Sequence, residues 1–335
     1  MEEQNLKRIF VTGATGFIGA QLLKSLQKEG HQIHALYRNE GKTAAIKLPG
    51  VKLFKGDLLD EQALMKAMKG CHEVYHLAAD ATVWNRDKNH SHRYNVEGTL
   101  LLVRCAAASG IRRMVVSSTA GILGPSTGSA VHEKSPPPSS FFTAYEASKA
   151  EMERRLSEQH EDWPELVIVN PTRVYGPGLL SESNGVTRMI KQYVEGSWRL
   201  IPGDGKSPGN YVFVEDVVEG MKLAMAKGEA GERYVLGGEN ISYNELFRIV
   251  GELSGVKKRL FHLPLWLMLA AAGGMLGLAK LFGIRPLVVP GLVRKFSHNW
   301  IVSSDKAREK LGYHPLKFRE GVVLTLNWLR SEQKA

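Results

Sequence analysis

Tyr145 and Lys149 stand four residues apart in Tyr145-Glu146-Ala147-Ser148-Lys149. On a helix that spacing puts a phenol and an ammonium on one face, within reach of a common ligand. A free tyrosine titrates near about 10, too high for acid–base work at neutral pH unless a cation favours the phenolate. Lys149 would supply that cation, although such a pair is also common on ordinary helix surfaces, so its weight comes from its company. The first companion is Thr12-Gly13-Ala14-Thr15-Gly16-Phe17-Ile18-Gly19, which joins a strand pattern to a helix pattern. Glycines there allow a tight turn and let a pyrophosphate reach the free N–H groups of a helix N-terminus. The second is Ser117-Ser118-Thr119, three hydroxyls at a strand end. One of them can hold a carbonyl oxygen beside the phenol, although strand-end hydroxyls also cap turns.

The second strand ends in Tyr37-Arg38-Asn39. An acidic residue about 20 positions after a phosphate loop reads the ribose of NAD, whereas a nearby Arg accommodates the 2′-phosphate of NADP. Arg38 therefore favours NADP(H). NAD(H) stays open, with Glu40 bending back to do the acid's work. In Gly56-Asp57-Leu58, Asp57 and Leu58 either edge the adenine or form a simple turn.

Six nearly continuous apolar runs read as strands buried on both faces: 8–12, 32–37, 51–55, 73–77, 114–117 and 166–170. Helical spacing fills 18–29, 60–69, 92–109 and 144–159, with starts such as Asp60 and Thr143. This alternation predicts an α/β fold with a doubly wound parallel sheet. After Gly176-Pro177-Gly178 the loops lengthen, which sets a dinucleotide-binding domain at 1–178 and a smaller substrate domain at 179–335. Tyr211-Val212-Phe213-Val214, running into Glu215-Asp216, suggests that the chain returns to the first domain around 209–238. The stretch Leu260 to Gly283 is strongly apolar and flanked by Lys257, Lys258, Arg259 and Arg285. It fits a lid over an apolar substrate, an interfacial helix giving peripheral membrane contact, or a span. Pro264, Gly273 and Gly274 weaken the last.

The 335 residues are 43% hydrophobic and 23% charged, as in a globular chain and unlike a disordered one. The charge, 44 basic minus 34 acidic, is +10. A surplus of this kind describes a field and identifies no site, and no zinc-finger or RNA-binding pattern accompanies it, so nucleic acid is not an expected partner. Cys71 and Cys105 have no metal-ligand spacing, and no metal is expected. Met1-Glu2-Glu3-Gln4 is acidic and runs straight into a strand, unlike a secretory leader. The expectation is a cytoplasmic protein, either free or peripheral to a membrane.

The blocks Thr12 to Gly19, Asn95-Val96-Glu97-Gly98-Thr99, Ser117 to Thr119, Tyr145 to Lys149, Pro171 to Gly178, Tyr211 to Val217 and Asp305 to Tyr313 together resemble the extended short-chain dehydrogenase/reductase family. Leu48-Pro49-Gly50-Val51, Gly56 to Asp60 and Lys69-Gly70-Cys71 are similar to its dihydroflavonol-reductase-like branch, which includes 3β-hydroxysteroid dehydrogenases. The resemblance implies a Rossmann domain with a smaller C-terminal α/β domain. It makes Tyr145 the acid/base, Lys149 its electrostatic and ribose-binding partner, Thr119 the carbonyl-polarising hydroxyl, and Ser118 the fallback. Asn95 then supports the site's geometry, Leu77-Ala78-Ala79 lines the nicotinamide side, and Pro171 and Val174 complete the cofactor contacts. A homodimer paired through helices near Tyr145 also follows from it. The implied activity interconverts a ketone and a secondary alcohol on an apolar dihydroflavonol-, steroid- or lipid-like substrate. The alternatives are a nucleotide-sugar 4-epimerase or dehydratase and a non-catalytic dinucleotide sensor. Arg173 and Gly209-Asn210 depart from the nucleotide-sugar pattern. The loops 83–91, 121–142 and 179–204 would set specificity.

Overall fold

The computed structural model describes residues 6–332 apart from Val83 and Gln159. The acidic start Met1 to Gln4, the first residue of the 83–91 loop and the last of the 144–159 helix lie outside the described residues. The chain begins with β1 (Arg8–Thr12), α1 (Phe17–Lys28), β2 (Gln32–Tyr37), β3 (Val51–Lys55), α2 (Glu61–Met68) and β4 (Glu73–His76). A helical run follows in three parts, α3 (His90–His92), a π-helical stretch (Arg93–Glu97) and α4 (Gly98–Ala108). Then come β5 (Arg113–Ser117), α5 (Ala144–Leu156), β6 (Glu165–Pro171), β7 (Arg173–Tyr175), α6 (Gly185–Glu195), β8 (Leu200–Pro202), β9 (Pro208–Phe213) and α7 (Val214–Lys227). The chain continues through β10 (Arg233–Leu236), β11 (Glu239–Ser242), α8 (Tyr243–Ser254), β12 (Phe261–Leu263), α9 (Leu265–Phe282), α10 (Pro290–Lys295), α11 (Asp305–Leu311) and α12 (Phe318–Glu332).

Among the described residues seven parallel strands form the large sheet, in the order β10-β6-β5-β4-β1-β2-β3. The α/β doubly wound class read from the sequence is the observed one. Successive β1 residues point to opposite faces, so Ile9 and Val11 enter one apolar cluster and Phe10 the other. Helices α1, α7 and α11 close the first face, and α2, α4 and α5 the second. The order reverses at β1, and ligands of such sheets bind outside the carboxyl ends of the strands at that switch point.

Strands β1, β2 and β3 fall on the residues read from the sequence. Asp60 caps α2 by accepting from the Ala63 N–H at 3.0 Å, and Thr143 caps α5 by accepting from the Glu146 N–H at 3.3 Å. Two readings need correction. The helix placed at 92–109 is α-helical only from Gly98, because a π-helical turn takes up Arg93–Glu97. The strand seen in Tyr211 to Val214 is β9, which pairs with β7 and β11 in a small separate sheet, while β10 is the strand that rejoins the large one. A third core, with Tyr175, Tyr211, Phe213 and Phe318 at its centre, packs this smaller part of the chain.

Candidate active site

The glycine-rich turn follows β1 and opens α1. Gly13 has φ +71°, and a Cβ there would lie 2.5 Å from the Ala78 nitrogen and the Leu77 carbonyl carbon, so only glycine lets this backbone cross 77–78. The turn is closed by the Gly16 N–H donating to the Gly13 carbonyl at 2.9 Å. Helix α1 starts without a side-chain cap and without an acidic residue in its first turn, leaving the N–H groups of Phe17, Ile18 and Gly19 for an anion. Thr15 lies in the turn itself. Gly19 is also fixed by space, because a Cβ there would strike the Gly13 carbonyl oxygen. These features fit a dinucleotide pyrophosphate. At the end of β2, the exposed Arg38 stacks 5.5 Å from the Tyr94 ring centroid and stands 3.5 Å from the Asp57 carboxylate. Asp57 also accepts from the Leu59 N–H at 3.0 Å, while Leu58 is buried under α4. Pro171 ends β6 and Val174 is buried in β7.

The proposed chemistry gathers at the carboxyl ends of β4, β5 and β6. Lys149 is buried, and its Nζ donates to the Ser117 carbonyl at 2.8 Å. Burial lowers its pKa to about 8, partly opposed by Glu153. Tyr145 is half-buried, and its phenol is pushed above the ordinary tyrosine value by burial and by the carboxylates of Glu146 and Asp80. This is opposite to the lowering expected from Lys149: burial outweighs it, and the Lys149 ammonium donates to the Ser117 carbonyl. The Thr119 hydroxyl oxygen accepts from the Gly121 N–H at 3.1 Å, which leaves its proton to donate elsewhere. Ser118 Oγ is buried without a hydrogen-bond partner among the described residues. A Cβ on Gly121 would lie 3.4 Å from Thr119 Oγ1 and 2.9 Å from Glu146 Oε1, so the Thr119 hydroxyl stands beside the first turn of α5.

Asn95 occupies the π-helical turn and is fully buried. Its side-chain carbonyl accepts from the Asp80 N–H at 2.7 Å, and its amide donates to the Asp80 carbonyl at 3.0 Å and to Ser148 Oγ at 2.9 Å. The 78–80 segment and α5 are thereby clamped to each other.

Some of the site was not read from the sequence. His76 bridges Thr12 Oγ1 at 2.7 Å and Thr99 Oγ1 at 2.8 Å, and Thr12 Oγ1 accepts from the Ala78 N–H at 3.2 Å. Burial, with the charge of Lys149 adding to it, lowers the pKa of His76 to about 3, so the ring is neutral. A histidine inside an apolar strand run was the available signal. Lys295 pairs with the buried Glu146, joining α10 to the residue beside Tyr145. Among the described residues no group of His, Cys, Asp and Glu is arranged to hold a metal.

Fold and site together define a dinucleotide-binding α/β enzyme with a tyrosine–lysine pair on α5. Residues 9–237 match the model of the NAD dependent epimerase/dehydratase family. The chain belongs to that family, the extended short-chain dehydrogenases/reductases, and is an NAD(P)-dependent enzyme of that class. Sterol demethylase protein B of Methylococcus capsulatus is 30% identical over 324 residues, covering 96% of this chain and 97% of its own. The sterol-4-alpha-carboxylate 3-dehydrogenase, decarboxylating, of Dictyostelium discoideum is 26% identical over 330 residues, covering 95% and 99%. The UDP-glucose 4-epimerase of Thermus thermophilus, solved as a complex with NAD, is similar with a TM-score of 0.77 and 25% identity over 96% of this chain and 99% of that one.

Proposed function

We propose that the protein is an NADP(H)-preferring oxidoreductase that interconverts a ketone and a secondary alcohol on an apolar, dihydroflavonol-, steroid- or lipid-like substrate. The observation that carries it is the Thr119 hydroxyl, which accepts from the Gly121 N–H and keeps its proton free beside the first turn of α5, where Tyr145 stands. When bound, the nicotinamide cofactor supplies the hydride for the carbonyl carbon or takes it from the carbinol. In this reading the 13–19 turn and α1 hold the pyrophosphate, Arg38 the 2′-phosphate, and Lys149 the ribose. Tyr145 gives its phenolic proton to the carbonyl oxygen as charge builds there, and Thr119 donates a hydrogen bond that strengthens in the same step. Lys149 stabilises the phenolate left behind. Asn95 holds α5 in register through Ser148. Domain limits at 178/179, with a return at 209–238, and a homodimer through the helices beside Tyr145 belong to the same reading, and sedimentation tests the dimer. The test of the chemistry is Tyr145→Phe: turnover falls at least about 100-fold while cofactor affinity stays within about twofold. Retained turnover would remove Tyr145 from the role.

The reading includes peripheral membrane contact. In α9 only Ala272 and Ala279 are buried, while Trp266, Leu278, Leu281 and Phe282 are exposed. From Leu253 to Ser304 there is no Asp or Glu, whereas Lys257, Lys258, Arg259, Lys280, Arg285, Arg294 and Lys295 are cationic. That combination suits an anionic bilayer surface. Before α9, β12 is paired to β8, and after it Lys295 is paired to Glu146, so both flanks belong to one folded body. This favours a helix lying in the interface over one crossing about 30 Å of hydrocarbon. Co-sedimentation with anionic liposomes, lost in Leu267→Glu, is the expected result, and equal recovery in the supernatant would dispose of it.

A further inference from the structure

Arg173 carries a charge that the folded chain does not neutralise. Its Nη1 donates to the hydroxyls of Tyr211 at 3.1 Å and Tyr243 at 3.3 Å, and its guanidinium carbon lies 5.5 and 5.8 Å from their ring centroids. Both partners are neutral phenols. Several other cations kept partly from water have carboxylates: Arg113 has Glu165, Lys222 has Glu29, Arg233 has Glu153 and Lys295 has Glu146, whereas Lys149, in the candidate site itself, is held by a backbone carbonyl. Among the described residues no carboxylate pairs with Arg173, and its Nε and Nη2 have no partner. Arg173 is half-buried. A cation partly withdrawn from water without a counter-ion is costly, and a guanidinium held with part of its donor fork free matches a carboxylate.

The surroundings make room for that fork. A Cβ on Gly209 would lie 2.8 Å from the Arg173 guanidinium carbon and closer still to Nη1, so glycine at 209 is what allows the guanidinium its place. Two contact paths lead from there to the same end of α5. The Tyr243 ring meets Phe296 edge-on at 6.0 Å, and the preceding residue, Lys295, pairs with Glu146. Pro208 accepts from the Trp300 N–H at 2.9 Å, and the Trp300 ring packs 5.9 Å from that of Phe142, three residues before Tyr145.

We infer that Arg173 reads a carboxylate carried by the apolar substrate, so that the protein acts on an acid in preference to the corresponding neutral compound. This deepens the proposed reaction and rests on it for the apolar part of the ligand. Fluorescence titration of the full chain with a steroid carboxylic acid, its methyl ester and UDP tests it without needing turnover. In the wild type the acid binds at least tenfold more tightly than the ester. Arg173→Gln brings the two within about twofold, and Arg173→Lys, which keeps the charge but loses the fork, retains an intermediate ratio. In turnover, the acid-to-ester ratio of kcat/KM falls in the same order, through KM. A wild type that binds acid and ester equally would overturn the inference, as would Arg173→Gln keeping the preference. UDP binding more tightly than the acid, and depending on Arg173, would overturn it in favour of a diphosphate ligand. Should Arg173→Gln not fold, the Arg173→Lys ratio decides, and a ratio unchanged from wild type counts against the carboxylate. Absence of cofactor oxidation with any ketone would strike the proposed reaction alone, because the binding ratio is read independently.

Discussion

The Lys149 ammonium donates to the Ser117 carbonyl at 2.8 Å, tying α5 to the strand end from which Ser118 and Thr119 project. The same bond keeps the charge in a buried place, and burial lowers its pKa from 10.5 to about 8. Between those values the folded protein has released a proton that the unfolded chain still binds, so stability rises with pH across that window. Wild type should gain roughly 1–3 kcal/mol on Lys149→Met between about pH 8 and 10 in urea unfolding. Parallel stability curves for the two proteins would refute the buried-ammonium assignment.

His76 gives the complementary effect at low pH. Its folded value of about 3 lies below the ordinary 6.5, so the unfolded chain binds a proton that the native ring refuses. The stability this contributes above pH 6.5 is lost as pH falls toward 3. Wild type should lose about 3 kcal/mol more than His76→Gln between pH 6.5 and 4. Equal acid slopes, followed by denaturant melts, would show that His76 is not held neutral.

Much of this was legible because it is local. The strands 8–12, 32–37 and 51–55 are written in continuous apolar runs, and the starts of α2 and α5 in the capping residues Asp60 and Thr143. The glycine turn was legible for the same reason, since a positive φ at Gly13 and a collision at Gly19 are demands that few residues meet. What was not legible depends on pairs distant in sequence. His76 meets Thr12 across 64 residues, Glu146 meets Lys295 across 149, and Arg173 meets Tyr243 across 70. The π-helical turn at Asn95 has no periodic signature, and it forms where the buried amide is clamped between Asp80 and Ser148.

In the proposed reading Arg38 decides the cofactor. Its side chain is 68% exposed and its bond to Asp57 is long, so the guanidinium can turn to a 2′-phosphate at little cost. Arg38→Ala should lower kcat/KM for NADPH at least about tenfold and change that for NADH by less than about threefold. A common loss for both cofactors would mean that Arg38 does not read the phosphate.

The most direct measurement follows nicotinamide absorbance over time with purified protein, NADPH or NADH, and a panel of aryl ketones, steroid ketones and nucleotide sugars. Net oxidation of NADPH with an apolar ketone, faster than with NADH and absent in Tyr145→Phe, is the expected result. A nucleotide sugar converted with no net change in absorbance would mean that the hydride is returned within each cycle, and would contradict the assignment as a ketone/alcohol oxidoreductase.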